Sequence, residues 1–252
     1  MIYICEYDGF LESELLQKLA EELPLKFPEG WKEGAKWEKA RQRILAWLLL
    51  AYGIEQSIGK HAESLAGSRK GICGETIKKS NPGQILRELA ILRDEHGKPF
   101  SSAHPEIKFN LSHCDTACAC IVGYTDAGVD IERKFAYRAS LARKVCHPKE
   151  AEILGRLDQE ERQRQLRLLW SLKESFVKLD GRGLGYGMDR INLAEFLPIK
   201  ASGIYNKEET AFRIAEYDAY TLAACSKDDR ILDVKCISEQ ELLEKIEGEE
   251  RL

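Results

Sequence analysis

The segment QEERQRQLRLLWSLKESFVKLD, residues 159–180, constrains the fold more than any other stretch of this chain. Leu166, Leu169, Trp170, Phe176 and Val177 recur on one side of a helical pattern, and Gly181 supplies a stop just past its end. A helix of that length spans about 33 Å and cannot leave such a stripe in water. It must lie against another layer. Short segments of strand character follow at about 203–205, 211–217, 220–226 and 231–237, and an acidic helix starts at Ser238. A helix packed on strands, and so an α+β fold, is the expectation.

The first half repeats this order. Residues 10–22 read as an amphipathic helix ended by Pro24, and 37–52 as a core helix stopped at Gly53. Residues 54–83 show no clear period and read as an irregular, partly helical excursion. A strand from Leu89 runs into a loop at Gly97-Lys98-Pro99. Residues 107–124 read as strand, polar turn and strand. A tight turn at Thr125 to Gly128 and a short strand at 129–132 complete an antiparallel meander. Residues 138–154 are helical, interrupted by Pro148. Phe109 to Cys120 and Phe212 to Ala223 have equal spacing, and each stretch ends in small apolar residues. This echo predicts two similar α+β lobes, 1–125 and 126–252 with a C-terminal extension. The 252 residues are enough for two half-size lobes or one large core.

Composition excludes several functions. A net charge of −4 gives no case for general nucleic-acid binding. No stretch approaches the roughly 18 apolar residues of a membrane span. The opening MIYICEYDGF has no basic n-region or long apolar core, so a signal peptide is not expected and a cytoplasmic location is. Eight cysteines, at 5, 73, 114, 118, 120, 146, 225 and 236, form no C-x-x-C pair. They read as core thiols rather than zinc ligands, His113 and Cys114 in SHCDTACAC included. The glycine-rich GRGLGYG lacks a preceding strand and following helix, so no nucleotide role is assigned to it.

Charge placement is more informative. In DAGVDIERK, residues 126–134, Asp130 and Glu132 flank Ile131. On a strand both carboxylates share one face. At about 6 Å and an effective dielectric of 20, their repulsion is of order 3 kcal/mol. Surface D-x-E triplets are common, but this one follows an apolar strand and turn. Two carboxylates there make half of a site for a hard divalent cation, which takes one or two carboxylates plus substrate phosphates. In the long helix, Glu174 and Lys178 share a face in its most apolar section. They suit a ligand or base and a phosphate contact or acid.

Four ordered motifs, GKP at 97–99, FNLSH at 109–113, GVDIE at 128–132 and WSLKESFVKLDGRGL at 170–184, resemble those of the Sfp-like 4′-phosphopantetheinyl transferases. The likeness extends from about residue 37 to the strands around YDAYTLAAC. It implies a pseudo-dimer of two α+β lobes in one chain, with coenzyme A and Mg²⁺ in the cleft between them and a monomer as the working form. It also implies transfer of the phosphopantetheine arm to a serine of an apo acyl or peptidyl carrier protein, releasing adenosine 3′,5′-bisphosphate. By the same resemblance, Asp130, Glu132 and Glu174 match the metal ligands. Glu174 also matches the base, and Lys178 the residue assisting the leaving phosphate. Ser112 and His113 match contacts to the coenzyme A phosphates, and Lys98 one near the 3′-phosphate. Arg43 matches an N-terminal phosphate-binding arginine, with Arg41 as the alternative and Lys36 a candidate upstream lysine. The stretch 54–83 is longer than the family pattern, and Cys114 stands where serine is frequent.

Two rivals share these residues: a metal-dependent phosphodiester or pyrophosphate hydrolase, and a non-catalytic carrier-binding homologue. The retained carboxylates and Lys178 oppose the second. Residues 133–149 hold Arg133, Lys134, Arg138, Arg143, Lys144 and Lys149 with no acidic residue, an expected dock for an acidic carrier.

Overall fold

Local signals in the chain produce, in order, β1 (Ile2–Glu6), α1 (Ser13–Glu22), α2 (Gly34–Ser64), α3 (Pro82–Glu88), β2 (Ile91–Arg93), β3 (Pro99–Ser101), β4 (Lys108–His113), β5 (Ala117–Gly123) and β6 (Ala127–Arg133). There follow α4 (Ala139–Val145), α5 (Pro148–Gly155), α6 (Gln159–Asp180), β7 (Ser202–Lys207), β8 (Thr210–Glu216), β9 (Tyr220–Ser226), β10 (Val234–Ser238) and α7 (Glu239–Glu250), with short 3₁₀ turns before β7 and β10. The structure, a computed structural model, describes residues 1–7, 13–64, 81–136 and 139–250. Cys73, Arg138 and most of the 54–83 excursion therefore lie outside the described residues, as does the start of the helix expected over 10–22.

The long helix forms as its pattern predicts. Asp158 accepts the Glu161 amide as its N-cap, and Gly181 closes it at φ 87°. The helix expected over 37–52 does not stop at Gly53. It runs on to Ser64, because Gly53 packs against the first sheet: a Cβ there would meet Tyr3 Cδ2 at 3.0 Å and Cys120 Sγ at 3.2 Å. The glycine is needed for close helix–strand approach. The unread helix α3 has a capping box, with Asn81 and Gln84 exchanging hydrogen bonds and Pro82 in the first turn.

Two four-stranded sheets form, ordered β10-β1-β5-β4 and β6-β9-β8-β7. The expected meander thus ends after β5, and β6 crosses into the second sheet against β9. Helix α2 covers one face of the first sheet, burying Tyr3, Cys5, Phe109, Cys118 and Cys120. Helix α6 covers one face of the second with Leu166, Leu169, Leu172 and Val177 over Phe212, Ile214 and Cys225. The remaining faces pack on each other through Ile2, Ile4, Ile121, Val129, Ile131 and Leu222. The order of layers is helix, sheet, sheet, helix, an α+β arrangement. The echoed hairpins, β4–β5 and β8–β9, lie in different sheets, each paired antiparallel.

Candidate active site

The site begins with two edge strands. β4 closes one sheet and β6 the other, and side chains span the gap between them. Asn110 Oδ1 accepts the Val129 amide at 3.0 Å, and Ser112 Oγ accepts the Ile131 amide at 3.2 Å. Two residues two apart on β4 thereby satisfy amides two apart on β6, so the strands run in the same direction. Period-two alternation puts Val129 and Ile131 between the sheets and turns Gly128, Asp130 and Glu132 toward α6.

Gly128 permits the contact. A Cβ there would lie 1.9 Å from the Ser175 carbonyl oxygen and 2.6 Å from the Leu179 amide nitrogen, distances no side chain tolerates. With the helix seated on the strand, Lys178 and Glu174 are presented one turn apart to the carboxylates of β6. Lys178 Nζ donates to Asp130 Oδ1 and Ser112 Oγ, each at 2.8 Å, and Ser112 Oγ donates to Asp130 Oδ1 at 3.3 Å. Asp130 is 4% exposed, and its other oxygen, Oδ2, is buried with no hydrogen-bond partner.

The carboxylates act on one another. Burial first, then the Asp130 and Glu132 charges, pushes the Glu174 carboxyl up to about 7, against the pull of Lys178. Burial and then Asp130 raise Glu132 as well. Among the described residues, no group of three or more His, Cys, Asp or Glu side chains is gathered closely enough to hold a metal ion. The donor set nonetheless fits a hard cation: all three are carboxylates, they repel one another, and Asp130 Oδ2 is left without a partner.

Basic side chains line the other side. His113, exposed at the end of β4, has its imidazole held below the ordinary range by partial desolvation and then by Lys178 and Arg43. Arg43 is half-buried; its guanidinium lies 5.3 Å from the Phe27 ring centre and 3.5 Å from the Lys26 carbonyl. The alternative, Arg41, is committed elsewhere: it is buried and bonded to Glu239 at 2.6 Å. Lys36 is exposed and donates to the Glu29 carbonyl. Lys98 donates to the Leu179 carbonyl at 2.8 Å, at the C-terminal end of α6, and burial lowers its ammonium pKa. It lines a cavity of about 350 Å³ with Phe100, Lys108 and Asp126. A second cavity, of about 340 Å³, opens beside the carboxylates between Glu132, Leu141, Lys144 and Trp170.

Sequence reading missed Asn110, whose bond to β6 aligns the seam. Its position two before Ser112, inside FNLSH, was the available signal.

Residues 126–225 match the profile of the 4′-phosphopantetheinyl transferase superfamily. The chain is 32% identical over 140 residues to a 4′-phosphopantetheinyl transferase of Bacillus subtilis, an overlap of 52% of this chain and 60% of that one. It is 28% identical over 160 residues to the 4′-phosphopantetheinyl transferase Sfp of Bacillus subtilis strain 168, covering 62% of this chain and 71% of the relative. It is 33% identical over 109 residues to the 4′-phosphopantetheinyl transferase HetI of Nostoc sp. strain PCC 7120, covering 41% and 44%. The chain thus spans less than two thirds of the length of the first of these relatives. The matched region holds β6, α6 and nearly all of β9, and β6 and α6 place Asp130, Glu132, Glu174 and Lys178.

Proposed function

We propose that this chain transfers the phosphopantetheine arm of coenzyme A to a serine of an apo acyl or peptidyl carrier protein. The observation that carries this reading is the meeting of Asp130, Lys178 and Ser112 across the seam, with Glu174 and Glu132 acting on the same point. The two helix-backed sheets are read as two lobes of a pseudo-dimer, divided near residue 125, with the C-terminal extension of β10 and α7 returning to the first sheet, and the chain working as a monomer in the cytoplasm.

Asp130, Glu132 and Glu174 would hold Mg²⁺, which supplies neutralising charge to a diphosphate when bound. The remaining chemistry belongs to side chains of the chain. Lys178 from α6 and His113 from β4 contact the diphosphate, with Arg43 as a further cation for it. Ser112 holds the Lys178 ammonium in position. Lys98, at its cavity, receives the adenosine end. A carboxylate beside the reacting phosphorus suits proton removal from a serine hydroxyl at neutral pH. Glu174 takes that proton as the serine oxygen forms its bond to the phosphorus bearing the pantetheine arm. The bond from that phosphorus to the bridging oxygen breaks, and adenosine 3′,5′-bisphosphate leaves with Lys178 beside its new charge.

The test is incubation with coenzyme A, Mg²⁺ and an apo acyl carrier protein, read by mass spectrometry. Addition of one phosphopantetheine group to the carrier serine, with equimolar bisphosphate, is expected. Coenzyme A cleavage without modification of the carrier would replace this reading with a hydrolase. Binding without cleavage would replace it with a non-catalytic carrier-binding role.

A further inference from the structure

Lys173 precedes Glu174 on α6 but points away from the seam, and both it and its partner Glu150 are 0% exposed. The Lys173 ammonium uses all three donors: Glu150 Oε2 at 2.5 Å, the Val145 carbonyl at 2.7 Å and the Met188 carbonyl at 3.1 Å. Glu150 Oε1 accepts the Leu193 amide at 2.7 Å, and Oε2 also accepts the His147 amide at 2.7 Å. One ion pair thus ties the end of α4, the cap of α5 and two points of the chain after α6 to a single residue of α6.

Taking two charges out of water is costly for each ion, and apolar replacements of buried pairs are often neutral or stabilising. Stability alone is therefore a poor account of this pair. Its geometry suggests a second role. Val145 is the last residue of α4, and α4 also carries Ser140, Leu141 and Lys144, which form one wall of the cavity beside Glu132 and Trp170. Fixing the Val145 carbonyl to α6 fixes that wall relative to Glu174.

We propose that the Lys173–Glu150 pair is a positioning device that sets α4 against α6 and so fixes the surface on which the carrier protein is received. This rests on the transferase reading above. Lys173 and Glu150 touch neither coenzyme A nor the reacting atoms in this scheme; they act through α4.

The test uses the full chain with the apolar double variant Lys173→Met/Glu150→Leu, which leaves no lone buried charge. Lys173→Arg, which keeps the charge but changes the donor geometry, is measured beside it. Three readouts are needed: amide hydrogen exchange over residues 139–146, KM for an apo acyl carrier protein, and Kd for adenosine 3′,5′-bisphosphate. Expected are faster exchange over 139–146, a carrier KM raised about tenfold, and an unchanged bisphosphate Kd. Wild-type exchange and carrier KM in whichever variant folds would overturn the proposal. So would equal losses in carrier and bisphosphate binding, which would mark a general structural role. A wild-type chain that modifies no carrier sinks the transferase reading alone, and unchanged exchange over 139–146 then sinks the positioning role separately.

Discussion

Lys178 on α6 and Asp130 on β6 lie 2.8 Å apart, Nζ to Oδ1, with Ser112 of the other sheet bonded to both. This three-way contact joins the two sheets. Asp130→Asn keeps the shape and removes the charge. It is expected to lower transfer at least a hundredfold while circular dichroism stays native. The wild type should lose transfer in chelator and regain it with Mg²⁺; equal activity in both would refute the metal assignment.

The raised Glu174 carboxyl makes the metal-free chain sensitive to pH. It titrates near 7 when folded against an ordinary 4.5, so between these values the folded state holds more protons than the unfolded one. Its contribution favours the fold up to about pH 4.5 and declines as pH rises to about 7. Glu132, also raised, adds in the same direction. The melting temperature of Glu174→Gln, relative to wild type in chelator, should climb across this interval. Added Mg²⁺ should narrow the gap by stabilising the wild-type carboxylates.

Gly128→Ala tests the seating of α6. With a Cβ driven into the Ser175 carbonyl, helix and strand must separate, at a cost of about 3 kcal/mol or more. Gly155→Ala is the control: its Cβ meets nothing within 4 Å, and a change below about 1 kcal/mol is expected. Urea midpoints for the two variants would settle the comparison. A mild Gly128→Ala would mean that the strand can slide under the helix.

Charge reversal at Arg143 and Lys144, both exposed on α4, tests the acceptor surface. The carrier KM should rise, most at low ionic strength, because exposed charges steer association and are screened by salt. Coenzyme A affinity should hold. A changed coenzyme A affinity with a normal carrier KM would move the dock elsewhere.

Where local signals decided structure, the chain was readable. Residues 159–180 form a helix with both ends as expected, because Asp158 and Gly181 cap it through bonds within a few residues. The common face of Asp130 and Glu132 followed from strand alternation alone. Asn81, Pro82 and Gln84 were equally local and went unread at the end of an apparently irregular stretch, Gln84 just beyond it. What could not be read depended on distant partners. Gly53 resembles a helix stop until Tyr3 and Cys120 are placed against it. Arg41, the alternative to Arg43, gives no sign in the sequence that Glu239, 198 residues away, holds its guanidinium. The crossing of β6 is set by its fit to β9, where small residues such as Ala223 oppose Asp130.

The strand β1 lies between β5 and β10, parallel to the latter from Ile2 opposite Val234 to Glu6 opposite Ser238. Ile237, Leu242, Leu243 and Ile246 are buried in the same core as α2. A ribosome making this chain therefore releases the elements of the first sheet early and its closing strand last. Until residue 238 emerges, β1 has a bare edge and the α2 core lacks part of its cover, while β6 to β9 already have all their pairing partners. The half bearing Asp130 and Glu174 can thus mature first during synthesis, and the half bearing Ser112 and His113 must wait for β10, which follows every strand of the second sheet.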